Sequence, residues 1–353
     1  ASASVPFSTF CSGTSAGIQV QGNITDAPMQ FSWTRTGATG VTGPASGNSG
    51  NIAAGNIYTI PNTLSNSSTV TRDITYTITP TSNGCPGAPI TITVTVAPNV
   101  TPGTIAASQT ICNGGDPTAF TQTVAATGLN LSYQWQLSTT NASSGFSDIA
   151  GATGITYDAL GPITQNTWYR RITTSTVNGI TCSSAPSNAV QITINNIDPG
   201  SINGDQTVCS VPGDPSTLGN AAHATQSIGG STGRSYQWQS TTVGCGAPDG
   251  SWNIITGATG PTYNPPPGLV VTTYYRRIVT FSTGGGCSEV SNCVTVYVNN
   301  VTGGIIGNDQ TICDNNPSAF VELTPSTGSG TLTYQWQSST DNVNFTDISG
   351  ATN

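Results

Sequence analysis

Tyr-Gln-Trp-Gln stands at residues 133–136, again at 236–239 and again at 334–337. Gly-Ala-Thr-Gly-x-Thr-Tyr follows it at 151–157 and 257–263, and Gly350-Ala351-Thr352 begins a third copy. Tyr-Arg-Arg-Ile comes next, at 169–172 and 275–278. Upstream, Gln-Thr-[Ile/Val]-Cys occurs at 109–112, 206–209 and 310–313. These anchors recur every 97 to 106 residues, so the chain is a tandem repeat. The first hundred residues read as a diverged copy: Cys11 lies 22 residues before Trp33, much as Cys112 lies 23 before Trp135. Units are expected at 1–98, 99–197, 198–299 and 300–353, the last of them incomplete. Their joints are short (Ala97-Pro98-Asn99-Val100, Asn195-Asn196-Ile197-Asp198-Pro199, Asn299-Asn300-Val301-Thr302), which predicts a stiff or semi-stiff rod.

Each unit closes on a run of period two. Thr91-Ile92-Thr93-Val94-Thr95-Val96, Val190-Gln191-Ile192-Thr193-Ile194 and Val294-Thr295-Val296-Tyr297-Val298 read as half-buried strands. The Tyr-Gln-Trp-Gln and Tyr-Arg-Arg-Ile segments read as central strands. Val177-Asn178-Gly179 and Gly284-Gly285-Gly286 read as hairpin turns. Six to eight short strands around one Trp predict an all-β chain of tandem immunoglobulin-like β-sandwich domains. The core Trp residues would be Trp33, Trp135, Trp238 and Trp336.

Composition excludes several functions. The 353 residues carry seven basic and fifteen acidic side chains, 6 % charged, for a net charge of −8. Ordinary soluble domains are about 25 % charged. Every basic residue is arginine. A nucleic-acid binder needs a basic footprint, which is absent here. No apolar run approaches the ~20 residues of a spanning helix, and no polybasic stretch marks a membrane-surface segment. The opening Ala-Ser-Ala-Ser-Val-Pro lacks the charged start and apolar core of an export signal, so a processed or excerpted chain is expected.

The nine cysteines point to an oxidising compartment. By position they are expected to pair within units, as Cys11–Cys85, Cys112–Cys182 and Cys209–Cys287. Cys245 and Cys293 are both peculiar to the third unit and are expected to pair with each other. Cys313 is left unpaired. Each bridge would tie one end of a sandwich shut, away from the core position of antibody disulfides.

Arg170-Arg171 and Arg276-Arg277 supply four of the seven basic residues and sit mid-strand. Strand neighbours face opposite ways, so one of each pair can turn inward. Arg171 and Arg277 are the candidates, stacking on Trp135 and Trp238; the alternative is a solvated strand with both exposed. Asp116, Asp214, Asp198 and Asp205 near the joints invite a calcium reading, but turn and Asx-cap roles fit such sparse acids better. No other cofactor is expected. His223 has no counterpart in the other units and reads as a surface-loop residue. No catalytic constellation is present; the only glutamates are Glu289 and Glu322. Asn23, Asn66, Asn141 and Asn344 begin Asn-x-Ser/Thr triplets. Trp252 is the candidate for glycan contact, with Trp168 behind it; core or edge packing is the competing role.

The run Tyr-Gln-Trp-Gln-Ser-Ser-Thr-Asp-Asn-Val-Asn-Phe-Thr-Asp-Ile-Ser-Gly-Ala-Thr at 334–352, Thr-Tyr-Tyr-Arg-Arg-Ile at 273–278 and Cys-x-Gly at 11–13 resemble the Ig-like repeats of very large Bacteroidota surface proteins. The first unit, with Phe-Ser-Trp-Thr-Arg-Thr-Gly-Ala-Thr-Gly and Ile-Thr-Tyr-Thr-Ile-Thr-Pro-Thr-Ser-Asn-Gly-Cys, resembles the PKD-like repeats of the same proteins. The resemblance covers essentially the whole chain. It implies an extracellular array on the bacterial cell surface, exported by the type 9 system, like the SprB-type gliding-motility adhesins. It carries over no site residues. A non-enzymatic stalk or filament segment is therefore expected, with neighbouring repeats of the same or an identical chain as partners. The alternatives are a glycan-binding module, and a fibre subunit polymerising by strand complementation of its incomplete last domain.

Overall fold

The structure, a computed structural model, describes residues 1–24, 27–209, 213–313 and 316–353. It is all-β, with tandem β-sandwich modules and one 3-10 turn at Asp249–Ser251. The chain forms two compact units, Ala1–Ile194 and Asn195–Asn353.

Three modules repeat one main sheet. In the first, Thr9–Phe10, Ile90–Val96, Arg72–Ser82, Met29–Thr36 and Ser46–Asn48 lie side by side in that order. The second orders Gln109–Cys112, Val190–Asn195, Thr167–Val177, Leu131–Ser138 and Ser147–Asp148 the same way. The third does so with Gln206–Cys209, Val294–Asn299, Thr273–Phe281, Arg234–Thr241 and Asn253–Ile254. β-Branched residues at period two make the long strands. In Arg72–Ser82 the buried set is Ile74, Tyr76, Ile78 and Pro80, with threonines between them. In the first and third modules the short first strand runs parallel to the last strand, while the long strands pair antiparallel.

A two-stranded ladder accompanies the main sheet in each later copy. Thr104–Ala106 pairs with Thr121–Val124, Ser201–Asn203 with Gly219–Ala222, and Ile305–Gly307 with Val321–Thr324, each with a register shift after its first residue. Gly103 and Gly200 lead into the first two ladders at φ +67° and +66°. A Cβ there would strike the carbonyl oxygens of Val124 and Ala222, so only glycine fits.

Trp135 and Trp238 are wholly buried, and Trp33 is nearly so. Each later copy builds the same cassette around its Trp. Trp135 N–H donates to Ala152 O, and Ile149 N–H donates to Trp135 O. The Gln134 amide donates to Trp135 O and Ile149 O. The indole Nε1 donates to Gly154 O at 2.9 Å. Trp238 repeats every one of these bonds with Ala258, Ile255, Gln237 and Gly260. Tyr-Gln-Trp-Gln and Gly-Ala-Thr-Gly are thus the two halves of one clamp. Phe120 lies against Trp135 and Tyr169 at ring-centre distances of 5.9 and 4.9 Å.

The fourth copy departs from expectation. Its clamp forms, with Trp336 N–H donating to Ala351 O and Gln335 to Ile348 O. Yet Trp336 is not a buried core residue, and Phe320, which stacks on it, is 57 % exposed. In the two preceding copies the long Tyr-Arg-Arg strand pairs with the Trp strand and covers it. Among the described residues no such strand pairs with 334–336, so the clamp stands without its lid.

Burial raises the phenols of Tyr169 and Tyr275 to about 12, and the neighbouring Tyr157 and Tyr263 add to the shift. Both phenols are neutral below pH 10, whether the chain is folded or unfolded. As pH rises from 10 towards 12 the unfolded chain ionises first, so stability falls across that window. Tyr169→Phe is expected to flatten the fall, read as urea midpoints between pH 9 and 11.5.

Candidate functional site

The cysteines sit where the parallel strand puts them. Thr9–Phe10 pairs with Thr95–Val96, so Cys11 lies where the module's last strand ends. The hairpin that carries Cys85 lies at the opposite end, near Ile90, where that strand begins. Six strand steps separate the two ends, about 20 Å. A disulfide needs Cα atoms within about 7 Å, so the expected Cys11–Cys85 bridge cannot form. Cys11 is instead bonded to Cys182 of the second module, with Cα atoms 5.5 Å apart. This also overturns Cys112–Cys182. Cys209 is a free thiol, which overturns Cys209–Cys287; Cys112 and Cys287 each lie in a disulfide. Cys85, Cys209 and Cys313 are free and exposed. Cys245 and Cys293 are bonded to each other, with Cα atoms 5.6 Å apart.

The Cys11–Cys182 bridge crosses a packed joint. The second module's hairpin turns at Asn178 and Gly179, with φ of +47° and +79°. This is the left-handed two-residue turn that Asn-Gly favours. The turn brings Val177 and Cys182 against Ala97 of the first module, with Cys11, Val100, Leu129 and Ile180 around them. The Asn178 amide donates to Thr9 Oγ1 at 3.1 Å. A disulfide closing a loop of 171 residues is worth on the order of 5 kcal/mol at most. Asparagines at the ends of the last strands are held by side chains further along the chain. Asn195 Oδ1 accepts from Ser227 Oγ and Ile228 N–H, and Asn299 Oδ1 accepts from Ser329 Oγ in the next copy.

Arg171 and Arg277 turn inward and are wholly buried, directly across the ladder from Trp135 and Trp238. Arg171 lies 4.3 Å from the ring centre of Tyr133 and 5.8 Å from that of Trp135. Its guanidinium donates to Ile155 O, Pro102 O and Gln122 Oε1. Arg277 makes the equivalent set with Pro261 O, Asn220 Oδ1 and Pro199 O. Neutral oxygens of one ladder residue and two loop carbonyls thus hold each charge, with no carboxylate among its hydrogen-bond partners. Burial pulls both guanidinium pKa values down, and Tyr133 and Tyr236 oppose that shift. In the first module Ile78 occupies this slot opposite Trp33, and Trp33 packs on Tyr76 instead.

The outer arginines explain Trp252. Arg276 lies over its ring at 4.4 Å, as Arg170 lies over Phe146 at 3.9 Å. Trp252 is buried, and its indole donates to Ala247 O, so it offers no stacking face for a sugar. Phe146, Trp252 and Phe345 are equivalents, each three residues before the clamp isoleucine; comparing these positions would have found the packing role. Trp168 is half-buried.

The remaining candidates have structural partners. Asp116, Asp198 and Asp205 accept backbone N–H bonds from Gly161, Gly200 and Thr295. Among the described residues no group of three His, Cys, Asp or Glu side chains comes together to hold a metal. His223 is exposed and shares a hydrogen bond with Asn220. Asn66 is buried, its amide donating to Val70 O and Val96 O, which rules it out as a glycosylation acceptor in the folded chain. Among the described residues no helix is long and apolar enough to cross a membrane.

Arg171→Leu would strip three buried oxygens of their donor and is expected to cost about 2–4 kcal/mol. Arg170→Leu is expected to cost about 1 kcal/mol or less. Urea unfolding followed by Trp fluorescence compares the two. Cys11→Ser is expected to speed amide exchange at 177–181 by roughly ten- to a hundredfold and to leave the Trp135 ladder unchanged. Hydrogen-exchange mass spectrometry reads both regions.

Among solved structures, the chain is similar to the three N-terminal domains of the bacteriophage RB49 highly immunogenic outer capsid protein. The identity is 12 %, over 84 % of this chain and 98 % of that one, with a TM-score of 0.34. A 1.5-MDa bacterial ice-binding adhesin matches at 13 % identity, over 82 % and 94 %, with a TM-score of 0.28. A protocadherin gammaB7 EC3-6 structure matches at 10 %, over 95 % and 86 %, with a TM-score of 0.21. Superpositions this loose carry nothing about function. No curated protein matches the chain. A PKD-like domain model matches residues 8–100. The model of a domain of unknown function, DUF8696, matches residues 101–196, 198–300 and 302–353. Three successive matches over most of its length, each on a copy that carries the same Trp clamp, make the chain a member of the DUF8696 family.

Proposed function

We propose that this chain is part of a non-enzymatic, load-bearing repeat array outside the cell, serving as a stalk or filament of a surface adhesin. The observation that carries the reading is the Cys11–Cys182 bridge, which crosses a joint instead of closing a module. A staple there adds nothing to a single module's core. Its use is to hold the angle and spacing between neighbours. Disulfides belong to oxidising compartments, which favours an extracellular site. Absence of lysine denies trypsin-like proteases half their usual targets, which suits an exposed segment. The low charge and the structural employment of nearly every candidate polar residue fit a spacer better than a catalyst. Within this reading, a Bacteroidota gliding-motility adhesin of the SprB type, exported by the type 9 system, is the finer assignment that the sequence motifs favour.

A fibre assembled by strand addition is the second reading. A glycan-binding role loses its residue, since Trp252 is packed under Arg276.

Electron microscopy of native material, with and without reductant, tests the array. Straight thin fibres with a ~40 Å axial repeat, a dozen residues of strand per module, are expected. Reductant is expected to leave the modules folded and the fibres bent. Compact isolated particles would overturn the reading.

A further inference from the structure

The cysteines follow a stagger that also assigns the free ones. Two kinds recur: a first-strand cysteine (Cys11, Cys112, Cys209, Cys313) and a hairpin cysteine (Cys85, Cys182, Cys287). The bridge Cys11–Cys182 joins a first-strand cysteine to the hairpin of the following module. Applied as a rule, this step leaves three cysteines without a partner among the described residues. Cys85 lacks a first-strand cysteine from a module before it. Cys209 and Cys313 lack hairpin cysteines from modules after theirs. Those are the three free thiols, while Cys112 and Cys287 both lie in disulfides.

The surface around Cys85 has the form of the receiving half of a joint. Its hairpin turns at Asn83 and Gly84 with φ of +49° and +84°, matching Asn178 and Gly179. Beside it opens a cavity of about 590 Å³, lined by Asn83, Cys85, Pro86, Ile90, Met29 and Ile24. In the second module the corresponding hairpin is filled in by Ala97, Cys11 and Thr9 of its neighbour. Cys85 pairs across its hairpin with Ser82, and Cys182 with Ser175. Cys85 therefore sits two residues nearer its turn than Cys182 does, a shift that keeps a strand residue on the same face.

We propose that the Cys85 end of the first module is a docking site for the trailing end of another module of this kind, whose first-strand cysteine forms a disulfide with Cys85. This rests on the array reading and names the partner within it. The occupant would bring an apolar post-strand residue in the role of Ala97 and a hydroxyl in the role of Thr9. The bond forms by exchange with a disulfide oxidant such as oxidised glutathione. The Cys85 thiolate displaces one glutathione thiol, and the partner thiolate displaces the second. Two thiols thereby lose two protons and two electrons, and glutathione disulfide leaves as two glutathione molecules.

Protein isolated from its source, alkylated before any reductant and mapped by mass spectrometry, tests this. The Cys85 peptide is expected joined to a peptide that carries a first-strand cysteine other than Cys11, and to separate on reduction. In Cys85→Ser protein from the same source, that partner cysteine is expected to become alkylated, with Cys11–Cys182 intact. Alkylated Cys85, Cys85 joined to Cys11, or Cys85 joined to its counterpart in another copy would each overturn the proposal. If Cys85 is alkylated in material that still shows periodic fibres, the staple falls and the array stands. Compact particles would remove both.

Discussion

A buried indole has one donor, and leaving it without an oxygen, as at Trp33 in the first module, carries a desolvation cost. In the second and third modules the donor is met by the carbonyl of a glycine, Gly154 or Gly260, in a turn some twenty residues downstream. The turn must therefore fold back over the Trp strand. Doing so satisfies the strand's own N–H and C=O and supplies the edge of the sheet. The opposing long strand, its inward tyrosine and its inward arginine are then positioned by the same Trp. The fourth copy repeats the clamp, its partly buried Trp336 indole donating to Asn353 O.

Much of this was legible in the sequence because it is written in periods. Alternation marked the strands, spacing marked the modules, and strand parity allowed Arg171 or Arg277 to face the core. Cys245 and Cys293 could be matched because both are peculiar to one unit. The connectivity of the other cysteines was not legible for a physical reason. In a tandem array, pairing within a module and pairing with the next module use cysteines of the same kinds. Only the direction of the first strand tells them apart, and periodicity does not encode direction. Trp252 differs: its equivalents Phe146 and Phe345 mark an aromatic position of the repeat, while its partner Arg276 lies on another strand that register brings beside it.

The modules move covalency from the core to the joint. Where an antibody domain holds its two sheets with a disulfide beside the Trp, the second module places a main-sheet guanidinium bonded to Gln122 of the facing ladder and to loop carbonyls. Desolvating that charge is costly, and several aligned acceptors and two aromatic faces offset it. A disulfide is thereby free to serve elsewhere, as Cys11–Cys182 does between the first two modules.

The parallel first strand has a mechanical consequence. In the third module Gln206–Cys209 runs alongside Val294–Asn299 in the same direction, so chain enters at one pole of the sandwich and leaves at the other. Tension applied along the chain then pulls these strands past each other, and the rungs between them resist together instead of opening one by one. Where the first strand is only two residues long, as at Thr9–Phe10, that ladder is short. There the bond from Cys11 to the next module gives the force a second route around it.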